Sequence, residues 1–137
     1  MEQDRYELTL TEDQAKIVSR ACELFSRIHM GQLEEINHEL LLAETRDTIC
    51  GRRDQAMYLL TQLKKLYFPS LRGMGHSYGI GKSKAADTAW NIHHAIRYQM
   101  AWHKHPEGGI GVQFDPPFSW LGVDIPECVI KTEERKE

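Results

Sequence analysis

Eight side chains in the middle of this 137-residue chain carry groups suited to holding an anion: Arg72, His76, Tyr78, Lys82 and Lys84, then Trp90, His94 and Arg97. The first five lie in or beside Pro69–Ser83, where four glycines fall within nine residues (73–81). A glycine-rich segment that runs into a helix start presents free backbone N–H groups and the positive end of the helix dipole, and the neighbouring cations add charge. Trp90, His94 and Arg97, with Ala101, recur at helical spacing, and Tyr98 lies alongside. An indole, an imidazole and a guanidinium on one helix face suit stacking on a base and gripping a phosphate. In the plainer alternative the glycine segment is a flexible loop, Trp90 packs in a core, and His94 and Arg97 bond to acidic helices elsewhere.

Sharper motifs fail on their details. Gly81-Lys82-Ser83 matches the end of a P-loop, GxxxxGK[ST], but the first glycine falls on His76 and no buried strand precedes it. Glu35 and His38 have the Glu-x-x-His spacing of di-iron bundles, yet the second copy and the additional glutamates are absent. His103 and His105 form a single HxH pair beside a turn, short of the three or four ligands a zinc site uses. No nucleophile elbow and no recognisable cysteine–histidine context appear. No catalytic residue, metal ligand or cofactor is therefore assigned. His93 sits nearer the aliphatic side of its helix and reads as a core histidine with a partner rather than as a ligand.

Charge directs attention to the same region. The net charge of −3 is an average over unlike parts. Residues 1–51 hold 5 Lys and Arg against 11 Asp and Glu, residues 52–104 hold 9 against 2, and residues 105–137 hold 3 against 7, so the segments carry −6, +7 and −4. Five of the seven histidines also fall between 76 and 105. Such a basic middle either pairs with the acidic ends, within one chain or between subunits, or builds a site for a small anion. With a pI near 6.2, general nucleic-acid binding is not expected. No apolar run approaches the length of a membrane span, and the start, MEQDRYELTL, has no apolar core of a signal peptide. Three cysteines at unrelated spacings read as reduced thiols, which suits the cytoplasm.

The elements that must position these groups follow from periodicity. Tyr6, Leu8 and Leu10 alternate with polar residues as a short strand. Thr11 and Gln14 form a capping box that opens a helix to about Met30, with Ile17, Ala21, Leu24 and Ile28 as its inward stripe, flanked by Val18, Cys22 and Phe25, and Gly31 as its stop. A second helix is expected over Gln32–Ala43, a loop over Thr45–Gly51, and a third helix over Arg52–Tyr67, closed by Pro69. Ser83 caps a fourth helix, Lys84 to about His103, with Ala85, Ala89, Ile92, Ile96 and Met100 inward. Ile110, Val112 and Phe114, and later Val129 and Ile130, read as short strands, and 131–137 as a frayed charged tail. The fold expected is one α+β domain over residues 1–137: four helices packed with a small antiparallel sheet of short N- and C-terminal strands.

Two stretches carry a resemblance. Phe25-Ser26-Arg27-Ile28-His29-Met30-Gly31-Gln32-Leu33-Glu34-Glu35, and Ala89-Trp90-Asn91-Ile92-His93-His94-Ala95-Ile96-Arg97-Tyr98 continuing to Pro106-Glu107-Gly108-Gly109, resemble a family of small accessory proteins of tailed phages and prophages. The resemblance spans roughly residues 6–118 and brings no catalytic assignment. It implies a viral protein acting in the host bacterial cytoplasm, and by analogy a role against host defence, as in oligomeric sponges that trap a nucleotide-derived immune signal.

The function expected is thus non-enzymatic sequestration of a small phosphate-containing ligand, such as a cyclic dinucleotide or a cyclic ADP-ribose-like signal, by a homo-oligomer. Two alternatives stand beside it: an inhibitor binding a host defence protein through the acidic helices or a Trp102/Trp120 surface, and a phosphodiesterase-like enzyme using His76 and His94.

Overall fold

The computed structural model describes residues 3–41 and 46–132. Four helices appear in chain order: α1 (Glu12–His29), α2 (Glu35–Leu41), α3 (Arg46–Tyr67) and α4 (Lys84–Lys104), followed by two single 3-10 turns, Val112–Phe114 and Ser119–Leu121. The local signals at helix ends act as their chemistry dictates. Thr11 accepts from the Gln14 amide at 3.2 Å while Gln14 Oε1 accepts from the Thr11 amide at 2.9 Å. At the other end of α1, Gly31 takes φ +89°, and the amides of Gly31 and Gln32 donate to the carbonyls of Ile28 and Arg27, the paired bonds of a Schellman stop. Ser83 caps α4 through the Ala86 amide at 3.2 Å.

The expected sheet does not form; the fold is all-helical, with no strand among the described residues. Residues 3–11 form no regular structure, with Tyr6 93% and Leu8 77% exposed. Val112–Phe114 winds into a 3-10 turn instead, with Trp102 Nε1 donating to the Phe114 carbonyl. Val129 and Ile130 are exposed and form no strand. Alternating apolar residues make a strand only when another edge accepts the backbone groups, and neither terminal segment meets one. The expected loop over Thr45–Gly51 is corrected likewise: α3 already begins at Arg46, and Gly51 sits in open space within it, tolerated at the modest cost of a glycine in a helix. Residue 45, and the last two residues expected for the second helix, lie outside the described residues.

α1 and α4 form the principal packed pair, and they run antiparallel. Ser26 Oγ donates to the Ala86 carbonyl at 2.8 Å, and seven residues earlier Ser19 Oγ is hydrogen-bonded to His93 Nδ1 at 2.8 Å. The seam is made of small and polar residues: Ser19, Ser26, Ala86, Ala89 and His93 are all buried. The stripe expected to face inward on α1 does not, since Ile17 is 60% and Phe25 46% exposed. On α4, Ala85 is exposed and Ile92, Ile96 and Met100 are only half-buried. Serines and alanines let the two backbones approach closely, so these helices meet through small side chains, with Ile17 and Phe25 of α1 left exposed.

α3 packs chiefly on α2. Lys64 joins this half to the glycine segment. Its ammonium, 2% exposed, donates to the carbonyls of Met74 (3.1 Å) and His76 (2.6 Å) and lies 3.6 Å from Glu34. The chain after α4 runs back along that helix as a strap. Asn91, fully buried, holds it with both ends of its amide: Nδ2 donates to the Phe118 carbonyl at 3.0 Å, and Oδ1 accepts from the Phe118 amide at 3.2 Å.

Candidate functional site

The polar stripe of α4 lies inside the protein. Trp90 and Arg97 are half-buried and His93 and His94 buried, held between α1 on one side and the strap Val112–Phe118 on the other. From α1, Glu23 and Arg27 reach into the same cluster. Arg27 Nε is 3.0 Å from Glu23 Oε1, its guanidinium lies 5.4 Å from the Trp90 ring centroid, and Glu23 Oε2 is 3.5 Å from His93 Nε2. The His94 ring meets Phe118 edge-on at 5.2 Å. One carboxylate therefore sits among two guanidiniums and an imidazole, with Asp115 contributing from the strap.

Several groups of this cluster are buried without a hydrogen-bond partner: Trp90 Nε1, His93 Nε2, both ring nitrogens of His94, and Arg97 Nε. Buried polar groups are normally paired, and an unpaired donor costs about 1–3 kcal/mol. His94 has the backbone of Val112 and Asp115 beside it, but no hydrogen bond of good geometry to either. Burial is the main force on the titration of both histidines and lowers each below its usual value. At His93 the Glu23 charge opposes that effect, while Arg97 and His94 reinforce it; at His94 the Arg97 charge reinforces it. Burial and the Arg27 charge also lower Arg97, against the pull of Glu23 and Asp115. A guanidinium remains charged nonetheless. The arrangement can hold an anion through N–H donors; it presents no activated nucleophile.

The loop group is placed differently. Arg72, His76, Tyr78, Lys82 and Lys84 are exposed. No hydrogen bond, ion pair or ring contact among the described residues joins any of them to Trp90, His94 or Arg97. The glycine segment is also engaged by its own chain. The Tyr78 amide donates to the Met30 carbonyl, Tyr78 bonds to Ser70 and meets Phe68 edge-on, and Gln32 donates to Ser77. The Gly81 amide, the donor best placed to meet an anion ahead of α4, is taken at 2.9 Å by the buried carboxylate of Asp87. That position already has its anion.

Sequence reasoning missed Glu23, Arg27, Ser19 and Asn91. A usable signal existed: Ser19, Glu23 and Ser26 interrupt an amphipathic helix at intervals of four and three, marking a polar seam opposite the aliphatic stripe. His93 is the buried, serine-bonded histidine that its place on the helix suggested. Charge pairing within the chain is extensive, since Glu39 meets Arg20 at 2.6 Å, Glu35 meets Arg27 at 3.9 Å, and Glu34 meets Lys64. Among the described residues no three His, Cys, Asp or Glu side chains converge as a metal site, and no helix is long and apolar enough to cross a membrane. Burial pushes the Cys22 and Cys128 thiols up, away from the reactive thiolate. Fold and site together define an all-helical protein with a largely buried polar cluster of mixed charge between α1, α4 and the strap. No family model, curated protein or solved structure matches the chain.

Proposed function

We propose that the protein is a non-enzymatic binder of a small phosphate-bearing ligand, held on the α4 face that carries Trp90, His94 and Arg97. The observation that carries this reading is the set of buried donors without acceptors on that face: Trp90 Nε1, the one N–H of the His94 ring and Arg97 Nε. A phosphate or a cyclic phosphodiester supplies the acceptors they lack, and the indole offers a surface for a base. The donors are shielded from solvent, so a ligand reaches them by displacing Val112–Phe118, the segment that covers His94. Arg72, Lys82 and Lys84, exposed on the glycine segment and at the start of α4, add positive charge that attracts the anion rather than cradling it, with His76 and Tyr78 exposed beside them.

The setting we infer is that of a phage accessory protein in the bacterial cytoplasm, sequestering a host signal such as a cyclic dinucleotide or cyclic ADP-ribose. This rests on the resemblance of Phe25–Glu35 and Ala89–Gly109 alone. A homo-oligomer is part of the proposal, supported by the exposed apolar side chains Ile17 and Phe25 of α1.

Incubation with cyclic dinucleotides or cyclic ADP-ribose, gel filtration, denaturation and mass analysis of what is released tests the reading. Intact ligand recovered in amounts comparable to the protein is the expected result. A cleaved product would instead make the protein a phosphodiesterase. Retention of none of these compounds overturns the binding function and leaves the protein–protein inhibitor, for which Trp120, 67% exposed, is the available anchor.

A further inference from the structure

The strap Val112–Phe118 is a single stretch of chain tied to α4 at two places. Near its start, Trp102 Nε1 donates to the Phe114 carbonyl at 3.1 Å, and the two rings meet at right angles, 5.5 Å apart. At its far end the Asn91 amide holds both backbone groups of Phe118. His94 lies on α4 between these ties, 2% exposed, with its ring edge-on to Phe118 at 5.2 Å. A neutral imidazole carries one donor and one acceptor, and neither ring nitrogen of His94 has a hydrogen-bond partner. Pro116 and Pro117, which cross the same stretch, have no N–H to offer it. Val112, Asp115 and Pro116 are exposed, so the outer side of the strap faces solvent.

Charged and titratable groups surround His94 on three elements. On α4, His93 is its neighbour in sequence and Arg97 follows one turn later. On the strap, Asp115 is the carboxylate that faces it. On α1, Glu23 and Arg27 act on His93 and Arg97. A proton on His94 sets an imidazolium beside the Arg97 guanidinium, where water does not reach to screen them. Asp115 attracts that charge, but Asp115 is exposed and its pull is weakened by solvent. Burial and Arg97 therefore outweigh Asp115, and the imidazole is held below its usual pKa. Hydrating the ring relieves both penalties. Of its surroundings, the strap is the part that can move away without unwinding a helix. We propose that His94 is a proton-operated latch: neutral, it lies under the strap, and charged, it releases Val112–Phe118 from α4 and opens the cluster to water. The release concerns the fold alone; that a phosphate-bearing ligand then enters rests on the proposed function. Such a ligand meets both an open path and one more positive charge in mild acid, so its binding strengthens as pH falls.

Amide hydrogen exchange followed by NMR on the full chain, from neutral pH to about pH 5, tests this. In wild type the protection of the Phe118 amide, corrected for the intrinsic pH dependence of exchange, is expected to fall by up to about tenfold per pH unit below about pH 6.5. Amides in the middle of α1 are expected to keep theirs. His94→Gln, which takes no proton, should give a level profile at Phe118. His93→Gln, altered where α4 meets α1, should keep the wild-type response. The His94 ring of wild type should itself titrate below about 6.5. Unchanged protection at Phe118, the same fall in His94→Gln, a fall shared equally by α1, or a His94 midpoint at or above its usual value each overturns the latch. A cyclic dinucleotide added at both ends of the pH range separates the latch from the ligand. Tighter retention in acid supports both, and retention indifferent to pH overturns the latch. No retention beside a pH-dependent Phe118 leaves the latch standing and removes only the ligand.

Discussion

Replacing Asn91 by alanine should release the C-terminal strap and destabilise the whole protein. Asn91 is fully buried, and its amide meets both the N–H and the C=O of Phe118, at 3.2 and 3.0 Å. Alanine strands both backbone groups and leaves a small void. Each unsatisfied group costs about 1–3 kcal/mol when buried, and Phe118 is only half-buried, so water repairs part of the loss; roughly 2–4 kcal/mol remains. With an unfolding entropy near 2.1 cal/mol/K per residue, 1 kcal/mol corresponds to about 3–4 °C in a chain of this length, so Tm should fall by about 10 °C. The assay is thermal unfolding of both proteins at the same concentration. Chymotrypsin offers a second readout, since Phe114 and Phe118 lie in the strap and should be cleaved sooner in the variant. A Tm within about 2 °C of wild type, with unchanged cleavage, would refute the view that one amide fastens this segment to α4.

Other outcomes follow from the same structure. His93 and His94 both have lowered folded-state pKa values, so their contribution to stability is complete above their unfolded value near 6.5 and is lost as pH falls below it. Denaturant titrations should show stability falling by up to about 1.4 kcal/mol per pH unit for each histidine on acidification, and a flat profile between neutral pH and pH 5 would contradict this. Lys64→Met removes a buried ammonium from the Met74 and His76 carbonyls and from Glu34; a loss of about 3–5 kcal/mol in chemical unfolding is expected, and a neutral result would mean that the glycine segment is held some other way. Gly31→Ala forces a side chain into the left-handed region and onto Leu71 Cδ1, so Tm should drop by several degrees, whereas Gly79→Ala, also at positive φ but in open space, should cost less.

What the sequence made legible was local. The Thr11–Gln14 box, the Gly31 stop and the Ser83 cap each depend on groups a few residues apart, and each forms where the residues stand. The strands were misread because alternation at Tyr6–Leu10 and Ile110–Phe114 describes which way side chains point and says nothing about whether a second edge exists to pair with. The inward face of α1 was misread for a related reason. Helical periodicity shows which residues share a face, and it does not say that α1 meets α4 through Ser19 and Ser26 rather than through its aliphatic stripe. The site followed the same division. Trp90, His94 and Arg97 were recognisable as one face by spacing, but their grouping with Glu23 and Arg27, about seventy residues earlier in the chain, is a consequence of α1–α4 packing that no local pattern encodes.

The account depends most on whether the unpaired donors of α4 bind an anion. Calorimetric titration of wild type and Arg97→Ala with cyclic dinucleotides and with cyclic ADP-ribose, after circular dichroism has shown both proteins folded, measures this directly. Saturable binding of at least one of these compounds to wild type, weakened at least about tenfold in Arg97→Ala as expected for losing a charge-assisted hydrogen bond, is the result predicted. No binding to wild type, or equal binding by both proteins, would contradict it.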